Sequence, residues 1–378
     1  SAAAAMADPS AFLRGPIGTG PYVMEPWEIG QPVKLSANRQ YWRTGPDGRP
    51  LPYIDELTFR EVIDEQERVE LVQRQDADFA HSRSTLAISR ARDLELTVIS
   101  RNEDNVGVVL LNTVQSPVDD VRVRRALQLS TNQEVLIKAS LGAGAGAPAT
   151  QWFAPQSRWW SGLAAEAWPE SDVVAAKQLL TDYVNDEDRS DKRAPGSQIS
   201  IDLQCTDDIH LSSMTRELAR QWQATGFVEV ETETITRSGL IQRVLGSVTD
   251  RPGFSGDFVA TCWRVGGESD PAMMFGPLFG PIRTSPLNVS NLHDESLSTF
   301  VELLYSSSVE TVRQTAVEQI MLTLTEQMPM IYLSHAQSAV IGHPRTKGLG
   351  YWQLPNGTDV YGQVAGVGRW SDVWLSDG

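Results

Sequence analysis

The sequence predicts an α/β protein of two mixed lobes, with the second inserted into the first so that the chain crosses between them twice. Three observations predict this. At 378 residues the chain is too long for one ordinary core. Its middle follows a strand–helix–strand order, while its first and last sections share a texture of short strands and turns. An insertion between two halves of one domain explains that recurrence, and two crossings are the connectivity that a hinge-closing protein needs.

The first section runs from Gly15 to Asn112. Val33 and Leu35 alternate with polar residues, as in a half-buried strand. Leu57, Phe59 and Val62 suggest another strand, and Gln66 to Gln75 a helix with Val69 and Val72 buried. Val106 to Leu111 is an apolar strand ending at Asn112.

The second section is the α/β one. Asp119 or Asp120 caps a helix carrying Val123, Ala126 and Leu127 on one face. Ser171 caps another, with Val173, Ala176, Leu180 and Val184 at helical spacing. Between them, Gly142 to Ala147 reads as a flexible connection. Ile199, Ile201 and Leu203 form a strand of period two. Leu211, Met214, Leu218 and Trp222 form a helical face that stops at Gly226, and Phe227, Val228 and Val230 begin the next strand. These two strands should be parallel. Phe258 to Trp263 supplies a further strand, and Leu297 to Leu304 and Val312 to Leu324 supply two helices. The third section, from about Leu333, returns to short strands and a tryptophan-rich tail.

Composition excludes several functions. Lysine and arginine total 32 against 48 acidic residues, a formal net charge of −16. Such a chain repels phosphate backbones, so nucleic acid and anionic membrane are not expected partners. No run of about 18 apolar residues occurs, so no transmembrane helix is expected. Any export signal would lie outside this sequence. The two cysteines, Cys205 and Cys262, make neither a zinc motif nor a disulfide scaffold. They either pair across neighbouring strands or remain half-buried thiols.

Chemistry is sparse. The five histidines form no HExxH or similar pair, and Gly253-Phe254-Ser255-Gly256 lacks the spacing of a nucleophile elbow. The alternating glycines at 142–146 follow a helix, so they do not make a dinucleotide loop. No catalytic residue, metal site or cofactor is expected. Two loops stand out instead: Cys205–His210 after one strand and Trp263–Pro271 after another. If both strands are parallel in one sheet, both loops sit at its carboxyl edge, where open α/β sheets bind ligands. The second loop combines the Trp263 ring, a glycine pair and the acids Glu268 and Asp270. An aromatic face with a carboxylate suits a cationic or amine-bearing ligand.

Several runs together resemble a known family. Gly15-Pro16-Ile17-Gly18-Thr19-Gly20-Pro21-Tyr22, with Asn38 and Tyr41-Trp42, is similar to the "PVGTGPY … N … YW" signature of the family 5 solute-binding proteins of ABC importers. So are Ile54–Phe59, the element from Asn112-Thr113 through Pro117 and Asp119 to Leu127, Met328–Tyr332 and Asp372–Leu375. The resemblance implies a periplasmic-binding-protein-like type II (cluster C) fold. Lobe I would comprise 15–112 and 335–378, and lobe III 113–334. Family members are longer, so the chain is expected to lack the first strands of lobe I and all of lobe II, as a fragment or with a separate N-terminal chain.

Function follows the same resemblance. It implies a monomeric extracytoplasmic receptor, periplasmic or lipid-anchored, that passes a small ligand to ABC permease subunits. A peptide is the leading ligand, with an oligosaccharide, nickel chelate or opine as rivals; the clustered Trp152, Trp159 and Trp160 keep the sugar in view. A hydrolase is the rival from another class. The ligand would sit between lobes I and III, closing by hinge motion near Asn112–Ser116 and Tyr332–His335. Oligopeptide-binding relatives have a pocket tryptophan at the position of Trp263 and a nearby amine-binding aspartate. Glu268 is the nearest substitute for that aspartate, while Asp270 either joins the site or caps the next helix. His210 falls at a pocket histidine, and Arg243 lies near a pocket arginine.

Overall fold

The computed structural model describes residues 6, 8, 12, 14–141, 147–207, 209–246, 256–266, 270–280, 287–353, 359–361, 363–364 and 367–376. The chain forms two compact units, one of Ser1–Arg101 with Gln337–Gly378, the other of Asn102–Ala336. The expected glycine-rich connection at 142–146 lies outside the described residues.

In the first unit, β1 (Tyr22–Met24), β2 (Val33–Ala37) and β3 (Glu56–Phe59) form an antiparallel sheet in that order. The alternation at Val33 and Leu35 sets the register, opposite Phe59 and Leu57. Asp64 caps α1 (Glu65–Gln73), accepting from the backbone N–H of Gln66 and Glu67. Val69 and Val72 then pack with Ile88 and Ala91 of α2 (Thr85–Asp93). β4 (Phe79–Ser82) pairs antiparallel with residues 339–342 of a late strand. The C-terminal segment returns to this unit. Trp370 stacks on Phe79 with ring centroids 4.5 Å apart, and its carbonyl accepts from Tyr22 Oη at 3.2 Å.

Two long strands carry the chain between units: β5 (Thr97–Leu111), and the late strand, Met330–Gly342, which is β9 in chain order. The crossings, at Arg101–Asn102 and Ala336–Gln337, therefore fall in mid-strand. The expected hinge segments, Asn112–Ser116 and Tyr332–His335, lie wholly inside the second unit. Asn112 is fully buried there: its amide donates to Phe258 O at 3.1 Å and accepts from Asn291 Nδ2 at 2.9 Å. Such a residue fastens a core and is unsuited to bending.

The second unit continues with α3 (Val121–Leu129), α4 (Gln133–Leu141), α5 (Gly162–Ala167) and α6 (Val173–Val184). Asp120 caps α3, and Val123, Ala126 and Leu127 are buried as their spacing requires. The cap of α6 is Asp172 and not Ser171. The Asp172 carboxylate accepts from Val174 N and Ala175 N at 2.9 and 3.0 Å, while Ser171 Oγ turns away and donates to Leu129 O. An ionised acceptor that reaches two N–H groups outcompetes a hydroxyl.

The sheet core follows. β6 (Ile199–Thr206), α7 (Ile209–Gln223) and β7 (Val228–Ile235) make the expected strand–helix–strand unit, and the strands are parallel over eight residues. Gly226, at φ +84°, supplies the turn between helix and strand. Then come α8 (Arg237–Leu245), β8 (Ala260–Gly266), α9 (Pro271–Phe279), α10 (Glu295–Ser306) and α11 (Glu310–Gln327). β8 begins two residues later than its apolar run because the carbonyls of Phe258 and Val259 accept from Asn112. It pairs parallel with β6 and antiparallel with β5. Within this unit, among the described residues, the strand order is β9-β5-β8-β6-β7, with β7 at the edge. Beyond β9, β10 (Thr346–Lys347) pairs with β15 (Trp374–Leu375), and between them β11 (Tyr351–Gln353) pairs with β12 (Asp359–Tyr361) and β13 (Gln363–Val364) with β14 (Val367–Gly368), all antiparallel.

Trp152 is fully buried and meets Phe275 edge-on at 5.2 Å, and Trp159 is also buried. These rings fill the core, so they are not free to stack on a sugar.

Candidate functional site

Because β6, β7 and β8 are parallel, the segments that follow them leave from one edge of the second unit's sheet. Cys205, one residue before the carboxyl end of β6, and Cys262, the third residue of β8, are joined as a disulfide. Closing a separation of 57 residues removes unfolded-chain entropy worth about 4 kcal/mol in the loop-closure treatment. The next residue of β8 is Trp263, half-buried and packed against a cluster that contains Leu110, Leu240, Val244 and Phe258. It also packs against the main core of the unit.

The sequence-predicted residues fall around this edge in different ways. His210 lies at the start of α7, directly after β6. Its side chain and residues 267–269, with Glu268, lie outside the described residues. Arg243 sits on α8 and is held by Glu233 of β7, with Nη2 donating to Oε1 at 2.8 Å. That bond keeps the guanidinium charged and the Glu233 carboxyl below its usual range. Asp270 has two engagements. It caps α9, accepting from Ala272 N at 2.9 Å, and it pairs with Arg313 of α11. Pro271 at the first helical position matches that cap.

The sequence reading missed a polar group at the same edge. β5 runs antiparallel to β8 with Asn105 opposite Gly266, so Glu103 and Asp104 lie beside the end of β8. Gly266 has φ +111°, and a Cβ there would strike the Asp104 carbonyl, so only glycine lets the strands meet this closely. Asp104 Oδ1 accepts from Ala154 N at 3.0 Å. Glu103 is buried, as is His335 of β9. Burial pushes the His335 pKa down to about 4, against the opposing pull of the Asp104 charge and the Glu103 backbone. The sequence carried a signal for this group: the polar run Arg101–Asn105 heads an otherwise apolar strand. Among the described residues no three histidine, cysteine or acidic side chains converge as metal ligands.

The family model for bacterial extracellular solute-binding proteins, family 5 Middle, matches residues 2–284. The chain belongs to family 5 of the bacterial extracellular solute-binding proteins. A curated relative, the glutathione-binding protein GsiB of Escherichia coli (strain K12), is 31% identical over 173 residues. That match covers 44% of this chain and 31% of the relative, so it spans less than a third of GsiB's length. Among solved structures, the ABC transporter substrate binding protein CtaP of Listeria monocytogenes superposes with a TM-score of 0.74 at 18% identity, covering 96% of this chain and 68% of that one. The oligopeptide-binding protein AppA of Bacillus subtilis, in complex with a nonapeptide, gives 0.66 at 20%, covering 96% and 67%.

The family 5 fold is thereby established as the mixed α/β type II periplasmic-binding-protein class. Family 5 proteins are extracytoplasmic binding proteins of ABC importers and not enzymes. Among the described residues no helix is long and apolar enough to cross a membrane.

Proposed function

We propose that this chain binds a small peptide outside the cytoplasm, as a monomer, and delivers it to the permease subunits of an ABC importer. The observation that carries this reading is the half-buried Trp263 at the carboxyl edge of a parallel strand pair, in a chain of family 5. The unit 102–336 corresponds to lobe III of the family and the discontinuous unit to lobe I. A ring face and nearby carboxylates favour a ligand with a protonated amine. His210 and Glu268 are assigned to the same site from the family resemblance and their places in the sequence, soon after β6 and β8. Arg243 and Asp270, each already ion-paired, shape it from α8 and α9. A tripeptide such as glutathione is a second peptide ligand to consider, because GsiB is a glutathione-binding protein. The disulfide supports an oxidising compartment.

A thermal-shift screen tests the ligand class. Tri-alanine or glutathione at a hundred times its Kd should stabilise the protein by about 2.7 kcal/mol. Maltotriose and a nickel–histidine complex should leave the midpoint unchanged. Stabilisation by the sugar or the chelate with none by any peptide overturns the peptide reading. Trp263→Ala should weaken peptide binding by more than about tenfold, or ~1.4 kcal/mol, in calorimetric titration. Unchanged affinity in the folded variant removes Trp263 from the site.

A further inference from the structure

We propose that the Cys205–Cys262 bridge is a positioning element of the solute site, standing in for a strand ladder that β6 and β8 do not build. β6 pairs with β7 from Ile199 to Thr206, and β5 pairs with β8 from Asn105 to Leu111. Between β6 and β8, among the described residues, only Leu203–Ala260 and Gln204–Thr261 are paired. The bridge occupies the next position along. Beyond it the two strands part company. Thr206 stays with Ile235 of β7, and Trp263 stays with Val108 of β5. The sheet therefore forks at the disulfide, and the two loops that follow leave from opposite prongs.

A fork at the carboxyl edge of parallel strands is where open α/β sheets admit ligands. Two rungs of hydrogen bonding do not fix where such a fork starts, whereas a covalent bond does. Both cysteines are buried, and Thr215 Oγ1 lies 3.9 Å from Cys262 Sγ, so α7 covers the bridge. That shielding makes it a permanent fastening and not an exchange site. The bridge falls directly after the two paired positions, one residue before Trp263 and five before His210, and so sets the spacing between them.

The inference rests on the peptide reading, and the test separates the two. Cys205→Ala/Cys262→Ala and the volume-restoring Cys205→Ala/Cys262→Val are compared with wild type by calorimetry with tri-alanine and by amide hydrogen exchange. Both measurements are made well below the unfolding midpoint. Both variants should bind at least tenfold more weakly. Exchange should speed around the bridge, at residues 204–207 and 262–266 and their ladder partners 233–235 and 105–109, with residues 199–202 and 228–231 unchanged. Binding within twofold of wild type by either variant, or faster exchange spread evenly over the unit, overturns the inference while leaving the peptide reading intact. Wild type that binds no tri-alanine removes the peptide reading and this inference with it. Two alkylatable thiols in wild type would also overturn it.

Discussion

His335 shows what burial does to one titratable residue. Its pKa falls from 6.5 to about 4 in the fold. Between those values the unfolded chain takes up a proton that the folded chain refuses. Stability is therefore complete above about pH 6.5 and is lost as the pH drops toward 4, by about 3 kcal/mol in all. Urea melts at pH 7, 5.5 and 4.5 should show His335→Asn losing less stability across this range than wild type. Parallel curves would mean the imidazole is solvated. Asp270 is the counterexample: it is half-exposed, and its chemistry is consumed by a cap and an arginine, so it positions α9.

At the scale of elements, caps and ladders decide. Asp172→Ala should cost about 1 kcal/mol through loss of the α6 cap, and Ser171→Ala only a few tenths, in denaturant melts. Equal costs would mean that the two residues share the role. Sequence alone could not choose between them, because both are good capping types and only the backbone angles at 171 and 172 decide. The strand–helix–strand unit at 199–235 was legible because its apolar period changes from two to helical and back, with Gly226 at the turn. The crossings between the two units were not legible. β5 and β9 run unbroken for 15 and 13 residues, and nothing in their composition marks a crossing. Of the proposed site, the place of Trp263 on the strand that continues from Cys262 could be read from strand order. The ion pairs of Arg243 and the burial of His335 could not, since both depend on partners distant in sequence.

At the scale of the whole molecule, a net charge of −16 means that the folded chain repels itself. Raising ionic strength from 0.01 M to 0.15 M shortens the screening length from about 30 Å to about 8 Å and should raise the thermal midpoint. A midpoint that falls with added sodium chloride would show that attractive pairs outweigh the repulsion. Some of this charge has a more local duty. Among the described residues β7 ends its sheet, and Glu229, Glu231 and Glu233 alternate along it, all exposed. A second copy approaching in register would meet the carboxylates of Glu229 and Glu231, while Glu233 is already paired with Arg243. Unpaired strands invite aggregation, and this spacing of like charge turns the invitation down, so the protein can stay dispersed at high concentration.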